Sequence, residues 1–507
     1  MTAIDRTTET GAGDRTGDGR GERLPAAHRT VIMTLLVATF VVILNETIMG
    51  VALPHLMSDL GVSASTVQWL STAFLLTMGV VIPTTGFLLQ RLATRTVFIL
   101  AMSLFSTGTL LAAVSQGFWM LLAARVVQAS GTAIMLPLLM TTILTLVPVA
   151  RRGLVMGNVS IAISVAPAIG PTVSGIILQY LSWRFMFVIV LPIALAALVL
   201  GARLLGNVSE PGRQRLDVVS VLLSVPAFGG LVYGLSRLGE SSGEGLSTAL
   251  VFLAVGVLCL VAFGWRQLRL ARGGDPLLDL RAFRFPMFSV SLTMLCIAMV
   301  ALFGVIILLP IYLQNVRGLD SLQTGLLLLP GGLLMGLLGP VVGRLFDRWG
   351  PRGLSTFGSL LLVATLWRLS TVDAGTPVWL LVGYHLVMSL GLACLFTPAF
   401  TTALNPLPPS LYSHGSAILS TLQQVAGAAG TALLVGIMAG RSASLAASGT
   451  SAVAAQTEGL QSAFTVAMVV GLGAVACALF LRNDRPAGAV EQGGEQGAGT
   501  ADAARAH

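Results

Sequence analysis

Fourteen long apolar stretches, separated by short polar joints, fill the chain between residues 30 and 482. A helix needs about 20 apolar residues to cross the hydrocarbon of a bilayer. Backbone polar groups inside lipid must be satisfied within the segment, which favours helices. The stretches at 30–54, 66–90, 96–115, 118–147, 154–180, 182–205, 217–238, 245–265, 286–313, 321–344, 353–370, 377–402, 416–440 and 460–482 therefore predict fourteen membrane-spanning helices. Residues 1–29 are polar and lack the apolar centre of a secretory signal. The tail 483–507 is rich in Gly, Ala and Gln, and both ends read as disordered cytosolic tails.

Composition agrees with this pattern. The 507 residues are 55% hydrophobic and 10% charged, against about 25% charged in ordinary soluble domains. A water-soluble enzyme is excluded on those grounds. All 29 basic residues are Arg, and the net charge is +8. In a soluble chain that balance would point to nucleic acid. Here the Arg residues sit between apolar runs, so a lipid bilayer is the expected partner and nucleic acid is not. With residue 1 on the cytosolic side, 23 Arg fall in cytosolic segments, 5 in external loops, and Arg125 inside a span. This asymmetry matches the positive-inside rule and predicts cytosolic termini on a multi-pass protein of the inner (cytoplasmic) membrane. The four Cys lie in apolar runs without ligand spacing, and no metal site, P-loop or cofactor motif is present.

The chain also repeats itself. Gly86-Phe-Leu-Leu-Gln-Arg-Leu-Ala-Thr-Arg95 after the second span is echoed by Gly343-Arg-Leu-Phe-Asp-Arg-Trp-Gly-Pro-Arg352 after the tenth, 257 residues later. Eight spans separate the copies, so the expected organisation is a six-helix bundle at 30–205, two inserted helices and an Arg-rich linker at 206–284, and a second six-helix bundle at 285–482. The inserted helices carry no deep charge and read as peripheral. The linker Arg residues 266, 269, 272, 281 and 284 read as lying on the anionic leaflet.

Several motifs fall in order on these spans: Leu44-Asn45-Glu46-Thr47 in the first, Arg125-Val-Val-Gln128 in the fourth, Ala166-Pro167-Ala-Ile-Gly170-Pro171-Thr-Val-Ser174-Gly175 in the fifth, Ser182-Trp183-Arg184-Phe185 opening the sixth, and Leu309-Pro310 with Gly325-Leu-Leu-Leu-Leu-Pro330 around the ninth and tenth. Together they resemble the major facilitator superfamily, and within it the 14-spanning drug:proton antiporters of the lincomycin-resistance type. The resemblance implies an all-α major facilitator fold that is not an enzyme. It also implies export of an amphipathic drug or antibiotic in exchange for protons, by a monomer. Two positions depart from the family pattern. The acid stands at Glu46 rather than at Asn45, and the first loop motif has Gln90 and Ala93 where Asp and Gly are usual.

Glu46 is the one acid inside the first six spans. A charge at mid-membrane costs upward of about 2.5 kcal/mol, and a carboxylate escapes that cost by binding a proton, which makes it a natural proton carrier. The resemblance gives Arg125 a relay role toward such an acid, with Asn45 beside it. A structural ion pair is the plainer alternative. Gln128 and Thr132 share the Arg125 face. Ser420 and Gln424 form a polar stripe on the thirteenth span, and Tyr384 and His385 stand in the twelfth; these six are the substrate-cavity candidates. Pro167, Gly170, Pro171 and Gly175 read as a hinge or seal, or as simple close packing. Gly343, Asp347, Arg348 and Arg352 read as a cytosolic gate. Two other functions stay open: export of an endogenous metabolite or lipid-like compound, and a non-transporting membrane sensor or scaffold.

Overall fold

In the computed structural model, residues 25–207, 217–238, 244–273 and 276–482 are described. They form fourteen long helices and no strand: α1 (Ala26–Leu60), α2 (Ala64–Arg91), α3 (Thr94–Ala113), α4 (Phe118–Leu146), α5 (Arg152–Tyr180), α6 (Arg184–Leu204), α7 (Val218–Leu238), α8 (Glu244–Gly273), α9 (Pro286–Ile311), α10 (Ser321–Trp349), α11 (Pro351–Leu369), α12 (Val378–Leu404), α13 (Tyr412–Ala447) and α14 (Ala452–Phe480). Thirteen are long and apolar enough to cross a membrane. The fourteenth, α11, has 19 residues, about 28 Å at 1.5 Å per residue, close to the thickness of a hydrocarbon core. The expected tails at 1–24 and 483–507 lie outside the described residues.

The joints between helices carry their own local chemistry. Gly61 ends α1 in the left-handed region at φ 61°, a conformation that favours glycine. Ser63 then caps α2 by accepting from Thr66 N. Asp320 and Gln323 form a reciprocal capping box at the start of α10. Gly350, at φ 78°, separates α10 from α11, and Pro351 opens the new helix where its missing N–H is no loss.

Successive helices alternate in direction, so residues 26 and 482 lie on one face, here called the terminal face. The Arg482 amide against the Met287 sulfur ties the end of α14 to the start of α9 on that side. Helices α1–α6 pack among themselves, as do α9–α14. The bundles meet along two seams. At the first, α5 lies against α10, where any side chain at Gly153, Gly157, Gly339 or Gly343 would collide with the facing backbone. At the second, α2 lies against α13. The inserted pair α7–α8 is less peripheral than its composition implies. Helix α7 packs on both α2 and α13, while α8 turns a broad apolar face outward, with Leu258 71% exposed.

Candidate functional site

Arg125 sits in the middle of the first bundle and is 1% exposed. Its Nη1 donates to Gln128 Oε1 at 2.7 Å, and Gln128 Nε2 donates to Thr109 Oγ1 at 2.8 Å. The Thr109 hydroxyl passes the chain on to the Phe105 carbonyl. Helical spacing of three residues puts Arg125 and Gln128 on one face, and Gly108 and Gly131 let α3 and α4 approach closely enough for the Thr109 link. The guanidinium also lies over the Phe74 ring, 4.0 Å from its centroid, a favourable cation–π position. Arg125 Nε has no partner among the described residues.

Glu46 is half-buried on α1. It makes no hydrogen bond or ion pair with another described residue, and no direct bridge joins it to Arg125. The two charges nonetheless lie close enough to act on each other. The neighbouring Asn45 is 2% exposed and its Oδ1 is unpartnered. Thr47 reaches the α5 backbone, donating to the Ala166 carbonyl at 3.4 Å, and Gly170 leaves room for it. The α5 motif thus seats α1 next to the acid. The Pro171 side chain lies outside the described positions, and Gly175 has open space at its Cα.

Of the other cavity candidates, Thr132 is buried and donates to the Gln128 carbonyl, which adds it to the Arg125 group. On α13, Ser416 and Ser420 are buried with unpartnered hydroxyls, and Gln424 is half-buried. Tyr384 and His385 stay within the second bundle. His385 Nε2 lies 3.2 Å from the Leu328 carbonyl, over Gly331 of α10, in a small apolar hollow lined by Leu309, Leu313 and Leu381.

The terminal face holds the two bundles together. Asp347 Oδ1 accepts from Gly153 N at 3.0 Å and Oδ2 from Leu154 N at 2.9 Å. A carboxylate of the second bundle therefore caps the first turn of α5, where the helix dipole and free N–H groups favour an anion. Gly343 makes the approach possible. Arg348 and Arg352 are exposed and have no ion-pair partner among the described residues.

Three contacts across this face went unread in the sequence. Arg152 is 4% exposed. It donates to the Val147 and Leu144 carbonyls of its own bundle, then to Asn405 Oδ1 and the Tyr412 hydroxyl of the other, both at 3.1 Å. Ser160 and Thr397 hydroxyls meet at 2.8 Å between α5 and α12. Gln90, which replaces the usual acid, donates to the Ser410 carbonyl at 3.2 Å. A doubled Arg at 151–152 reads as orientation charge, and its inward turn depends on acceptors 253 and 260 residues away.

The face opposite is braced inside the first bundle. Trp183 Nε1 and Arg184 both donate to Asp59 Oδ2, at 2.7 and 3.3 Å, and Arg184 Nε reaches the Ser115 carbonyl. The Trp183 hydrogen bond holds the Asp59 carboxyl below the usual carboxylate range. Among the described residues no group of three or more His, Cys, Asp or Glu could hold a metal ion.

The family model described as Major Facilitator Superfamily matches residues 35–431. A lincomycin resistance protein, LmrB, of Listeria monocytogenes is 43% identical over 457 residues, covering 89% of this chain and 96% of the relative. The tetracenomycin C resistance and export protein of Streptomyces glaucescens is 29% identical over 411 residues, 81% of this chain and 76% of that one. Among solved structures, the human organic anion transporter MFSD10 superposes with a TM-score of 0.64 at 17% identity, covering 90% of this chain and all of that one. The last likeness speaks for the fold alone. With fourteen helices in two facing bundles and a family match across most of its length, the chain belongs to the major facilitator superfamily of multi-pass membrane transporters.

Proposed function

We propose that the protein exports amphipathic drugs or antibiotics across the cytoplasmic membrane in exchange for protons, working as a monomer with both termini cytosolic. The observation that carries the reading is Glu46: an acid within the first bundle, free of any fixed partner among the described residues and near a guanidinium that Gln128 holds in place. Buried ionisable groups in membrane spans mark ion or proton pathways. An acid locked to Arg125 would have no reason to exchange its proton, whereas a free one takes it up from outside and gives it up inside as the bundles rock. Arg125 keeps its own proton and acts by its field, strengthening or weakening the carboxylate's hold as helices shift. The unpartnered hydroxyls of Ser416 and Ser420 supply hydrogen-bonding groups to a substrate held between the bundles. A membrane potential adds about 2.3 kcal/mol per charge per 100 mV, enough to sustain a concentration gradient of roughly fifty-fold. The names of the relatives, lincomycin and tetracenomycin C resistance, support antibiotics as the substrate class.

The test is Glu46→Gln in proteoliposomes with an imposed pH gradient. The variant is expected to fold and bind drug yet lose gradient-driven export. Wild-type export by the variant would overturn proton coupling through this residue. A parallel killing assay on an antibiotic panel, with and without an uncoupler, separates drug export from metabolite export.

A further inference from the structure

The internal repeat pairs α2 with α10 and α4 with α12. Gly86 and Gly343 are 257 residues apart, and so are Phe74 of α2 and Gly331 of α10. Helix α4 begins at Phe118 and α12 at Val378, which makes Arg125 and His385 the eighth residue of each. The structure keeps this correspondence. In the first bundle the Arg125 guanidinium lies over the Phe74 ring. In the second the His385 imidazole lies over Gly331, in the space that a side chain there would fill. A residue type that always carries its proton is thus matched by one whose free side chain titrates near neutrality.

The hydrogen-bond pattern says which nitrogen is bare. His385 Nε2 lies 3.2 Å from the Leu328 carbonyl, which can only accept, so Nε2 carries the hydrogen of the neutral ring. Nδ1 is then an open lone pair, buried and without a partner among the described residues. The hollow around the ring is lined by Leu309, Leu313, Leu327, Val378 and Leu381, which offer neither charge nor acceptor. Charged and titratable groups on the elements packed against α12 are engaged elsewhere. On the face opposite the termini, Arg368 of α11 lies over Trp367, Arg441 of α13 meets Glu458, and Arg317 and Tyr312 donate to the Ala374 and Asp373 carbonyls. Asp320 caps α10, Asp373 accepts from Gly375 and Thr376, and Tyr180 of α5 is exposed. Cys296 and Cys394 face α13 and α11. Arg152, Arg344, Asp347, Arg348, Arg352, Tyr412 and His414 stand at the terminal face.

His385 also ends a line of contacts that crosses between the bundles. Gly331 is followed by Gly332, which seats on Ala168 of α5, and on that helix the Ala166 carbonyl and Gly170 hold Thr47, next to Glu46. A proton on Nδ1 makes the ring a cation with a second N–H and no acceptor in the apolar lining, at a cost upward of about 2.5 kcal/mol. The ring relieves that cost by drawing water into the hollow or by leaving it, and Gly331 has no side chain to hold it. Either move shifts α10 against α5 and so reaches the seat of Glu46.

We propose that His385 Nδ1 binds a second proton in the exchange cycle, linked to Glu46 through α10 and α5, so that two protons enter for each molecule exported. The proposal rests on the exporter reading above and deepens it, moving His385 from the substrate cavity to the proton path.

The experiment uses full-length protein in proteoliposomes loaded with ethidium, a permanent monocation, with equal pH on both sides and the interior held at about −100 mV by a potassium diffusion potential. Two protons in for one cation out carry one net positive charge inward. Wild-type protein should therefore expel the dye to an outside excess of roughly fifty-fold, against the direction in which the potential alone draws a cation. One proton for one cation moves no net charge and gives no expulsion. His385→Gln keeps a donor for the Leu328 carbonyl but binds no proton, and His385→Arg never gives its proton up. Both variants are expected to lose expulsion under the potential and to retain it under a pH gradient, acid outside. Wild-type protein that expels ethidium only under the pH gradient, or a His385→Gln variant that answers the potential as wild type does, would overturn the second proton. Variants that fold yet answer neither gradient would overturn it too, because Glu46 alone should still exchange one. Wild-type protein inert under both gradients would instead overturn the exporter reading, and the second proton with it.

Discussion

Arg152 offers the sharpest test of how the terminal face stays shut. Its guanidinium is buried and shares four acceptors, two in each bundle. The informative perturbation leaves the Arg in place and removes its partners across the seam, with Asn405→Ala and Tyr412→Phe. The two carbonyls at Val147 and Leu144 still satisfy the charge, so the folded bundle survives. A hydrogen bond to a charged group contributes about 1.5–3 kcal/mol. All three side chains are less than 9% exposed, so solvent offers little substitute in the closed state. Taking the lower figure for each, every single variant should shift the closed-to-open ratio about tenfold, and the pair by up to about a hundredfold. Spin labels at Thr96→Cys and Gly353→Cys, both exposed on the terminal face, read that ratio by pulsed dipolar spectroscopy in a Cys-free background. A long-distance population should appear in each single variant and dominate in the double. An unchanged distance distribution in the double variant, at unchanged melting temperature, would refute the idea that Arg152 joins the bundles.

Other outcomes follow from the same geometry. Asp347→Ala removes the cap that the second bundle places on α5 and should cost about 1 kcal/mol, seen as a lower melting temperature and faster thiol labelling of a Cys at position 160. Gln128→Leu takes away the hydrogen-bond acceptor of Arg125 and should destabilise the protein by about 2 kcal/mol while abolishing coupled export; Gln128→Glu should restore melting more than export. Asp217 is held down to about 2, first by its hydrogen bonds from Arg266 and then from Ser220. Its contribution is therefore fully present above the unfolded carboxylate pKa near 4 and lost as pH falls toward 2. Asp217→Asn should lower stability by about 1 kcal/mol at neutral pH, and the two melting curves should converge near pH 2.

The parts of this molecule legible in the sequence are those governed by local composition. Span number and position follow from apolar length, and the fourteen helices lie where that pattern puts them. Boundaries slipped where helices outrun the apolar core: α8 continues through Arg266, Arg269 and Arg272 to Gly273, and α13 runs to Ala447. Helix propensity and the bilayer's thickness set different limits, and only the second is visible as hydropathy. The Arg125–Gln128 pair was readable because both residues sit on one helix. Arg152 with Asn405 and Tyr412 was not, since nothing local says that one Arg of a doublet turns inward. The packing of α7 on α2 and α13 was equally hidden, because small and aromatic residues at Gly79, Tyr233 and Phe228 look the same facing lipid or facing protein.

The substitution of Gln90 for an acid leaves the two halves of the molecule fastened by different kinds of clasp. One is a neutral amide on a carbonyl, and the other is the exposed carboxylate of Asp347 on a helix end. Mobile ions weaken the second and ignore the first. Raising the salt concentration should therefore loosen the protein unevenly, prying at the α5 side while the α2 side holds, so that ionic strength becomes a one-sided lever on a nearly symmetric machine.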